Sequence, residues 1–145
     1  MKEEELLEKA IGIAVEAHRG QRDRYGLPYI LHPVRVMCRL ESTAGKIVGI
    51  LHDVVEDTDW TFKDLEKEGF PAAIIEALDS VTKREGEAYE DFVKRSASNP
   101  LGRKVKIADL EDNMDVRRLL LVTDKDTARL QKYFKAWHFL TDGRD

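Results

Sequence analysis

The sequence predicts an all-α fold, and three observations lead there. Apolar residues recur three and four positions apart along most of the chain, as they do on one face of a helix. Residues that start and stop helices bracket those runs. No segment carries the apolar–polar alternation of a half-buried strand.

Taken in order, residues 3 to 18 place Leu6, Leu7, Ala10, Ile11, Ile13, Ala14 and Ala17 at helical spacing, and Glu3, Glu4 and Glu5 suit the positive end of the helix dipole. Gly20 closes that helix, and the segment to Pro28 is a polar, basic loop that turns at Gly26. Pro33, tolerated in a first turn, starts a second helix running to about Glu41 on Val34, Val36, Met37 and Leu40. A third spans about Ala44 to Glu56. Thr61 with Asp64 forms a capping-box pattern for a short helix ending at Glu68. Pro71 begins another, with Ile74, Ile75, Leu78 and Val81 as its apolar face. Residues 88 to 98 are helical on Tyr89, Phe92 and Val93, until Asn99-Pro100 breaks the chain. A long helix from about Leu101 to Leu120 follows, and the last runs from about Asp126 to Leu140.

At 145 residues the chain suits one domain, 1–145, with one core. Hydrophobic residues at 42% and charged residues at 36% exclude a disordered or fibrous chain. A net charge of −4, from 24 basic and 28 acidic residues, gives no general attraction to nucleic acid or to an anionic membrane. An anionic substrate would therefore need a local basic patch. Cys38 is the only cysteine, which rules out an intrachain disulfide and suits a reducing cytoplasm. The opening Met-Lys-Glu-Glu-Glu lacks the apolar centre of a signal peptide, and no apolar run approaches a membrane span.

The chemistry concentrates in Leu51-His52-Asp53-Val54-Val55-Glu56-Asp57-Thr58. Four ionisable side chains fall within six residues, inside a helical pattern of Ile47, Val48, Ile50, Leu51, Val54 and Val55. On a continuous helix His52 aligns with Glu56, and Asp53 with Asp57. Three carboxylates that close repel unless a cation or shared protons offset them. A metal ion at His52 and Asp53 is the simplest such cation, with Glu56 and Asp57 above it to handle a water molecule. A solvated acidic helix end that happens to hold a histidine is the alternative.

Two further residues extend this set. His32 sits in Tyr29-Ile30-Leu31-His32-Pro33, where a loop can aim a side chain inward, although a histidine before proline is by itself more often a hydrogen-bonded structural residue. Asp109 is an acid inside the apolar run Val105 to Leu110, which needs a cation, a donor or exposure. His32, His52, Asp53 and Asp109 supply two imidazoles and two carboxylates. That mixture suits a six-coordinate divalent ion such as Mn²⁺ or Fe²⁺ better than tetrahedral structural zinc.

The order His32, His52-Asp53, Asp109 resembles the signature of the HD-domain metal-dependent phosphohydrolases. The nearer resemblance is to the hydrolase domain of the RelA/SpoT alarmone enzymes and their single-domain relatives. It is carried by Ala17-His18-Arg19-Gly20-Gln21, by Gly26 to Pro33, by Leu51 to Thr58, by Val81-Thr82-Lys83, and by Lys106-Ile107-Ala108-Asp109 with Asn113-Met114. These matches run from about residue 6 to residue 120. The resemblance implies a helical HD bundle that removes pyrophosphate from the 3′ position of (p)ppGpp with Mn²⁺. It further implies that His32, His52, Asp53 and Asp109 are the metal ligands. Glu56 and Asp57 match the acids that position and activate water, and Asn113 matches a residue near the ribose and phosphates. The synthetase and regulatory domains of the long enzymes are not expected, because the sequence stops at Asp145.

The chain departs from that pattern in two places. Asp23 stands where family members often carry an arginine, and Arg24 falls where the next basic residue lies, so Arg24 is expected to take the substrate contact. After Asp109 the family usually reads Arg-Leu-His-Asn-Met-Arg, whereas this chain reads Leu110-Glu111-Asp112-Asn113-Met114-Asp115. That change puts acids near the rim of a pocket for a highly charged nucleotide.

The remaining candidates read more simply. Arg22, Arg24 and Arg35 are either a phosphate patch or scattered surface arginines. His18 reads as a helix C-terminal residue, and Lys83, Lys104 and Lys106 as solvated face charges. His138 and Trp137 read as packing or surface, and Tyr89, Phe92, Tyr133, Phe134 and Trp137 as core. Cys38 reads as a small buried hydrophobe. The function expected is a metal-dependent phosphohydrolase acting on a nucleotide, most nearly a guanosine-3′,5′-bis(diphosphate) 3′-pyrophosphohydrolase, with Mn²⁺ or another divalent ion such as Fe²⁺, Co²⁺ or Mg²⁺. A phosphohydrolase for a nucleoside monophosphate or an NADPH-type nucleotide is the alternative, as is a metal-stabilised regulatory module without turnover. A nucleotide is the expected partner, with no nucleic acid and no membrane.

Overall fold

A computed structural model describes residues 1–142 and makes the chain all-α over that span. The last three residues of the predicted 1–145 domain lie outside the described residues. The helices are α1 (Glu3–Ala17), α2 (Leu31–Cys38), α3 (Thr43–Leu51), α4 (Val54–Asp57), α5 (Phe62–Lys67), α6 (Ala72–Ser80), α7 (Tyr89–Ala97), α8 (Pro100–Asn113) and α9 (Asp124–Asp142), with a 3₁₀ turn at Val116–Arg118 before α9. Among the described residues β pairing is confined to an isolated antiparallel bridge, Arg22 with Pro28, which pins the loop between α1 and α2. No helix among them is long and apolar enough to cross a membrane.

Local chemistry explains most boundaries. Thr61 and Asp64 form the reciprocal capping box at the start of α5. The Asn99 carboxamide accepts the Gly102 N–H at 2.8 Å, and Pro100 occupies the first turn of α8 without losing a needed hydrogen bond. Ser42 caps α3 in the same way, accepting from Gly45 N–H at 2.9 Å.

The bundle is built around α3, which packs against α1, α2, α6 and α8. Its Ile47, Val48, Ile50 and Leu51 are all but fully buried, and each contributes about 1.5–3 kcal/mol of hydrophobic stabilisation. Gly49 lets α2 approach closely. A Cβ there would lie 2.8 Å from Leu40 Cδ1 and 3.3 Å from Met37 Cα. A second cluster, Val93, Ile107, Leu110, Ala136 and Leu140, joins α7, α8 and α9.

Several boundaries differ from the sequence expectation. The helix read as Ala44 to Glu56 breaks at His52-Asp53, where Asp53 takes φ −105° and ψ −1°, leaving α3 and the one-turn α4. The helix read to Leu120 ends at Asn113, because Leu120 and Leu121 have no apolar surface to pack on and stand in solvent. The second helix stops at Cys38, short of Glu41, and α9 begins at Asp124 rather than Asp126. Cys38 is exposed, not buried, since it faces away from α3, and Phe134 is 56% exposed on the outer face of α9.

Candidate metal centre and substrate cleft

Three separate stretches of chain deliver the candidate ligands to one place. The first turn of α2 presents His32, the break between α3 and α4 presents His52 and Asp53 side by side, and the last turns of α8 present Asp109. Because the helix ends at His52, the next residue swings its carboxylate toward the same imidazole. Asp53 Oδ2 lies 3.1 Å from His52 Nε2 and 3.6 Å from His32 Nε2. Asp109 Oδ1 lies 3.0 Å from His32 Nε2 and 3.4 Å from His52 Nε2. One ligand atom from each of His32, His52 and Asp109 falls within a 4.8 Å span, a group that could hold a divalent metal ion.

The outer nitrogens show which way each imidazole is turned. His52 Nδ1 meets the Gly49 carbonyl oxygen at 2.6 Å, and His32 Nδ1 meets Asp112 Oδ2 at 2.7 Å. Both partners are acceptors, so both Nδ1 atoms carry hydrogen and both Nε2 atoms face the carboxylates. His52 Nε2 is buried and makes no hydrogen bond. Such an arrangement needs positive charge between the nitrogens and the carboxylates. Burial works against a charged imidazole here, yet Asp53 and Asp109 outweigh it and raise His52 well above its ordinary pKa. His32 is raised as well, with burial opposed by Asp109 and Asp112. A divalent cation satisfies the same demand, and a His/carboxylate donor set suits one.

Each carboxylate has a further partner. Tyr29 donates its hydroxyl to Asp53 Oδ2 at 2.6 Å. Asp109 Oδ2 pairs with Lys106 Nζ at 3.0 Å, and Asp109 Oδ1 accepts from the Asn113 amide at 3.0 Å. Burial would raise Asp109, but Lys106 and the two imidazoles bring it well below the carboxylate range. Lys106 is therefore not the solvated charge its position suggested. It is buried, with Nζ also 4.7 Å from the centre of the Phe92 ring. The spacing from Lys106 to Asp109, three residues on a helix, was the available sequence signal.

Glu56 and Asp57 occupy α4, one turn on, where Asp57 N–H bonds the Asp53 carbonyl at 2.9 Å. Both are exposed. Glu56 Oε1 accepts the Lys83 backbone N–H at 2.8 Å, and the Asp57 carbonyl accepts from Gln21 Nε2 at 3.1 Å. Partial desolvation of its carboxyl, then the charges of Asp53 and Glu56, push Asp57 up to about 6.

A cleft of about 380 Å³ opens beside His32, Asp53 and Asp109, and Arg22, Arg24 and Asn113 also line it. Two departures from the family pattern find local explanations there. Asp23 Oδ1 accepts the backbone N–H groups of Tyr25 and Leu27, both at 2.9 Å, so it shapes the loop that carries Arg24. The acids after Asp109 are not loose charges at the rim. Glu111 accepts from Trp137 Nε1 at 3.0 Å, Asp115 is bonded to Arg117 at 2.7 Å, and Asp112 is fully buried against His32 and Arg35. Arg35 lines the same cleft while its guanidinium is bonded to Asp112. His18 is buried beneath the site, 5.1 Å from Tyr29 between ring centres, with Nδ1 on Gln21 Oε1 at 2.8 Å. The sequence reading missed the parts played by Tyr29 and Asp112, because neither stands at a spacing that links it to its partner.

Comparison with known proteins places this geometry. No protein-family model matches the chain. It is 30% identical over 122 residues to a guanosine-3′,5′-bis(diphosphate) 3′-pyrophosphohydrolase of Aquifex aeolicus, covering 76% of this chain and 17% of that protein. It is 34% identical over 110 residues to the bifunctional (p)ppGpp synthase/hydrolase SpoT of Escherichia coli, covering 73% and 15%. A GTP pyrophosphokinase of Streptomyces coelicolor matches at 33% over 127 residues, covering 79% and 15%. The chain thus spans about a sixth of the length of these curated relatives. Among solved structures, a metazoan ortholog of SpoT that hydrolyses ppGpp superposes with a TM-score of 0.77 at 22% identity, covering 97% of this chain and 87% of that one. The homologues are RelA/SpoT-type proteins, and the fold is that of the hydrolase bundle in the solved relative.

Proposed function

We propose that this chain, a RelA/SpoT-type homologue with an HD-type helical bundle, is a divalent-metal-dependent 3′-pyrophosphohydrolase of guanosine 3′,5′-bis(diphosphate), with Mn²⁺ the native ion. The whole of 1–145 is read as one hydrolase domain working in the cytoplasm. The observation that carries the reading is the convergence of His32, His52, Asp53 and Asp109 beside a cleft lined by Arg22, Arg24 and Asn113. Similarity to proteins named for this hydrolysis supports it.

His32, His52, Asp53 and Asp109 would hold the ion. Bound there, a divalent ion supplies Lewis acidity, lowering the pKa of water and drawing charge from a phosphoryl oxygen. Arg24 offers a planar, permanently charged group to phosphate or base, and Asn113 offers an amide beside Asp109. Glu56 or Asp57 orients the attacking water and accepts its proton. Attack at the phosphorus on the 3′-oxygen breaks that P–O bond, releasing pyrophosphate and leaving the nucleoside 5′-diphosphate.

The experiment is a release assay with added Mn²⁺ across ppGpp, NADPH and simple nucleotides, run beside metal analysis. Pyrophosphate is expected from ppGpp, with metal content lost in His52→Ala and Asp109→Ala. Metal content unchanged in both variants would remove the metal centre. Turnover of a different nucleotide alone would move the chain to another phosphohydrolase class, and metal binding without turnover would make it a regulatory module.

A further inference from the structure

The hydrogen-bonding partner of His32 is not among the candidate ligands, and it stands where the resembling sequences usually carry a histidine. Asp112 is 1% exposed at the end of α8, eighty positions along the chain from the imidazole it meets. Its Oδ2 accepts from His32 Nδ1 at 2.7 Å. On the other side Arg35, one turn after His32 on α2, reaches Asp112 Oδ1 through Nε at 2.8 Å and Oδ2 through Nη2 at 3.2 Å. Arg118 comes within 3.7 Å of Oδ1, and its Nη2 bonds the Asp112 carbonyl at 2.8 Å. A buried carboxylate with these partners cannot turn away from the imidazole without leaving charged groups unpaired.

The two sides of the ring then do different work. Nδ1–H is committed to a fixed anion, and Nε2 is aimed between Asp53 and Asp109. His52 is held otherwise, through the Gly49 backbone carbonyl, which carries no net charge. A carboxylate partner makes an imidazole a stronger electron donor than a neutral carbonyl does, and fixes its orientation.

We propose that Asp112, clamped by Arg35, is a positioning residue that holds His32 in the tautomer and direction needed for metal binding and strengthens it as a donor. The inference rests on the metal-centre reading given above. It assigns the substitution after Asp109 a purpose, and makes α2 and α8 cooperate through one charged contact.

The test measures metal affinity instead of turnover, by titrating Mn²⁺ and Co²⁺ into metal-free full-length protein. The Asp112→Asn variant keeps the size and an acceptor oxygen but removes the charge, so it should fold. A loss of about 10–100-fold in affinity is expected. Arg35→Gln should lower affinity in the same direction, and Glu111→Gln, one residue away but bonded to Trp137, should leave it unchanged. A merely structural effect is separated by a double-mutant cycle. If Asp112 acts through His32, adding Asp112→Asn to His32→Ala weakens binding by no more than about twofold. A full, additive loss in that background would overturn the proposal while leaving the metal centre in place. Wild-type affinity in Asp112→Asn would do the same. Failure of the wild-type protein to bind either ion would overturn the metal-centre reading, and this inference with it.

Discussion

Replacing Lys106 by methionine separates what the buried charges do for folding from what they do for the ion. Methionine keeps an unbranched chain of similar length over the Phe92 ring, so the packing loss is small. The electrostatic loss is not. At 3.0 Å, and with the effective dielectric of about 20 that suits such pairs, the gross attraction between Lys106 and Asp109 is on the order of 5 kcal/mol. Relief from desolvating the ammonium returns part of it. The two imidazoles and Asn113 remain on Asp109. A net loss of about 3 kcal/mol is expected in the metal-free protein, at the low end for breaking a buried pair. For a chain of this length that lowers Tm by roughly 6–12 °C.

Removing Lys106 also removes a cation that competes for Asp109, so a divalent ion should bind the variant more tightly. Mass action then restores stability. The ion stabilises wild type too, so under saturating metal the gap between the two proteins narrows by the ratio of their affinities, about 1.4 kcal/mol for each tenfold by which the variant binds more tightly. The assay is urea and thermal unfolding of wild type and Lys106→Met, each with chelator and with saturating Mn²⁺. A deficit that closes as metal is added supports the reasoning. An equal deficit in both conditions would refute it, since Lys106 would then act through packing alone.

Two other outcomes are expected. Glu56→Gln and Asp57→Asn should fold and retain metal while losing on the order of a hundredfold or more in single-turnover rate. Metal stoichiometry and rate on the same preparations check this, and near-wild-type turnover in both would leave the acids outside the mechanism. At a distance from the site, hydrogen bonds from Arg95 Nε at 2.9 Å and Nη2 at 2.8 Å hold the Glu87 carboxylate down to about 2 from an ordinary 4.5. A depressed carboxylate stabilises above its unfolded pKa, and that contribution fades as pH falls through the folded one. Glu87→Gln should therefore lower Tm at pH 7, with the gap to wild type narrowing between about pH 5 and pH 2; a gap independent of pH would argue against the ion pair.

Much of the fold was legible because single residues decide it. The Thr61–Asp64 box, Pro71 and Asn99-Pro100 each mark a boundary through their own backbone chemistry. The break at His52-Asp53 was not legible, since Val54 and Val55 continue the apolar spacing and a bend at one residue leaves no trace in it. The end of α8 was overrun for the opposite reason. Leu119 and Leu120 prolong the pattern, but Leu120 and the following Leu121 stand in solvent with no neighbouring helix over them. In the site, residue types and local order pointed to His32, His52, Asp53 and Asp109. Asp112 read as an unwelcome rim charge because only the crossing of α2 and α8 brings Arg35 and His32 to it.

That break also divides the centre into two mechanical parts. His52 hangs from α3, the helix with most of the core around it, while Glu56 and Asp57 ride on a single turn tied down by the Lys83 and Gln21 contacts. Sub-ångström adjustment is costly in the first part and cheap in the second. The position of His52 is thus inherited from the core, whereas Glu56 and Asp57 stand on a turn held by the buried Val54 and by those two contacts. Changes in the segments that carry Lys83 and Gln21 can therefore shift Glu56 and Asp57 without disturbing the interior that makes the protein fold.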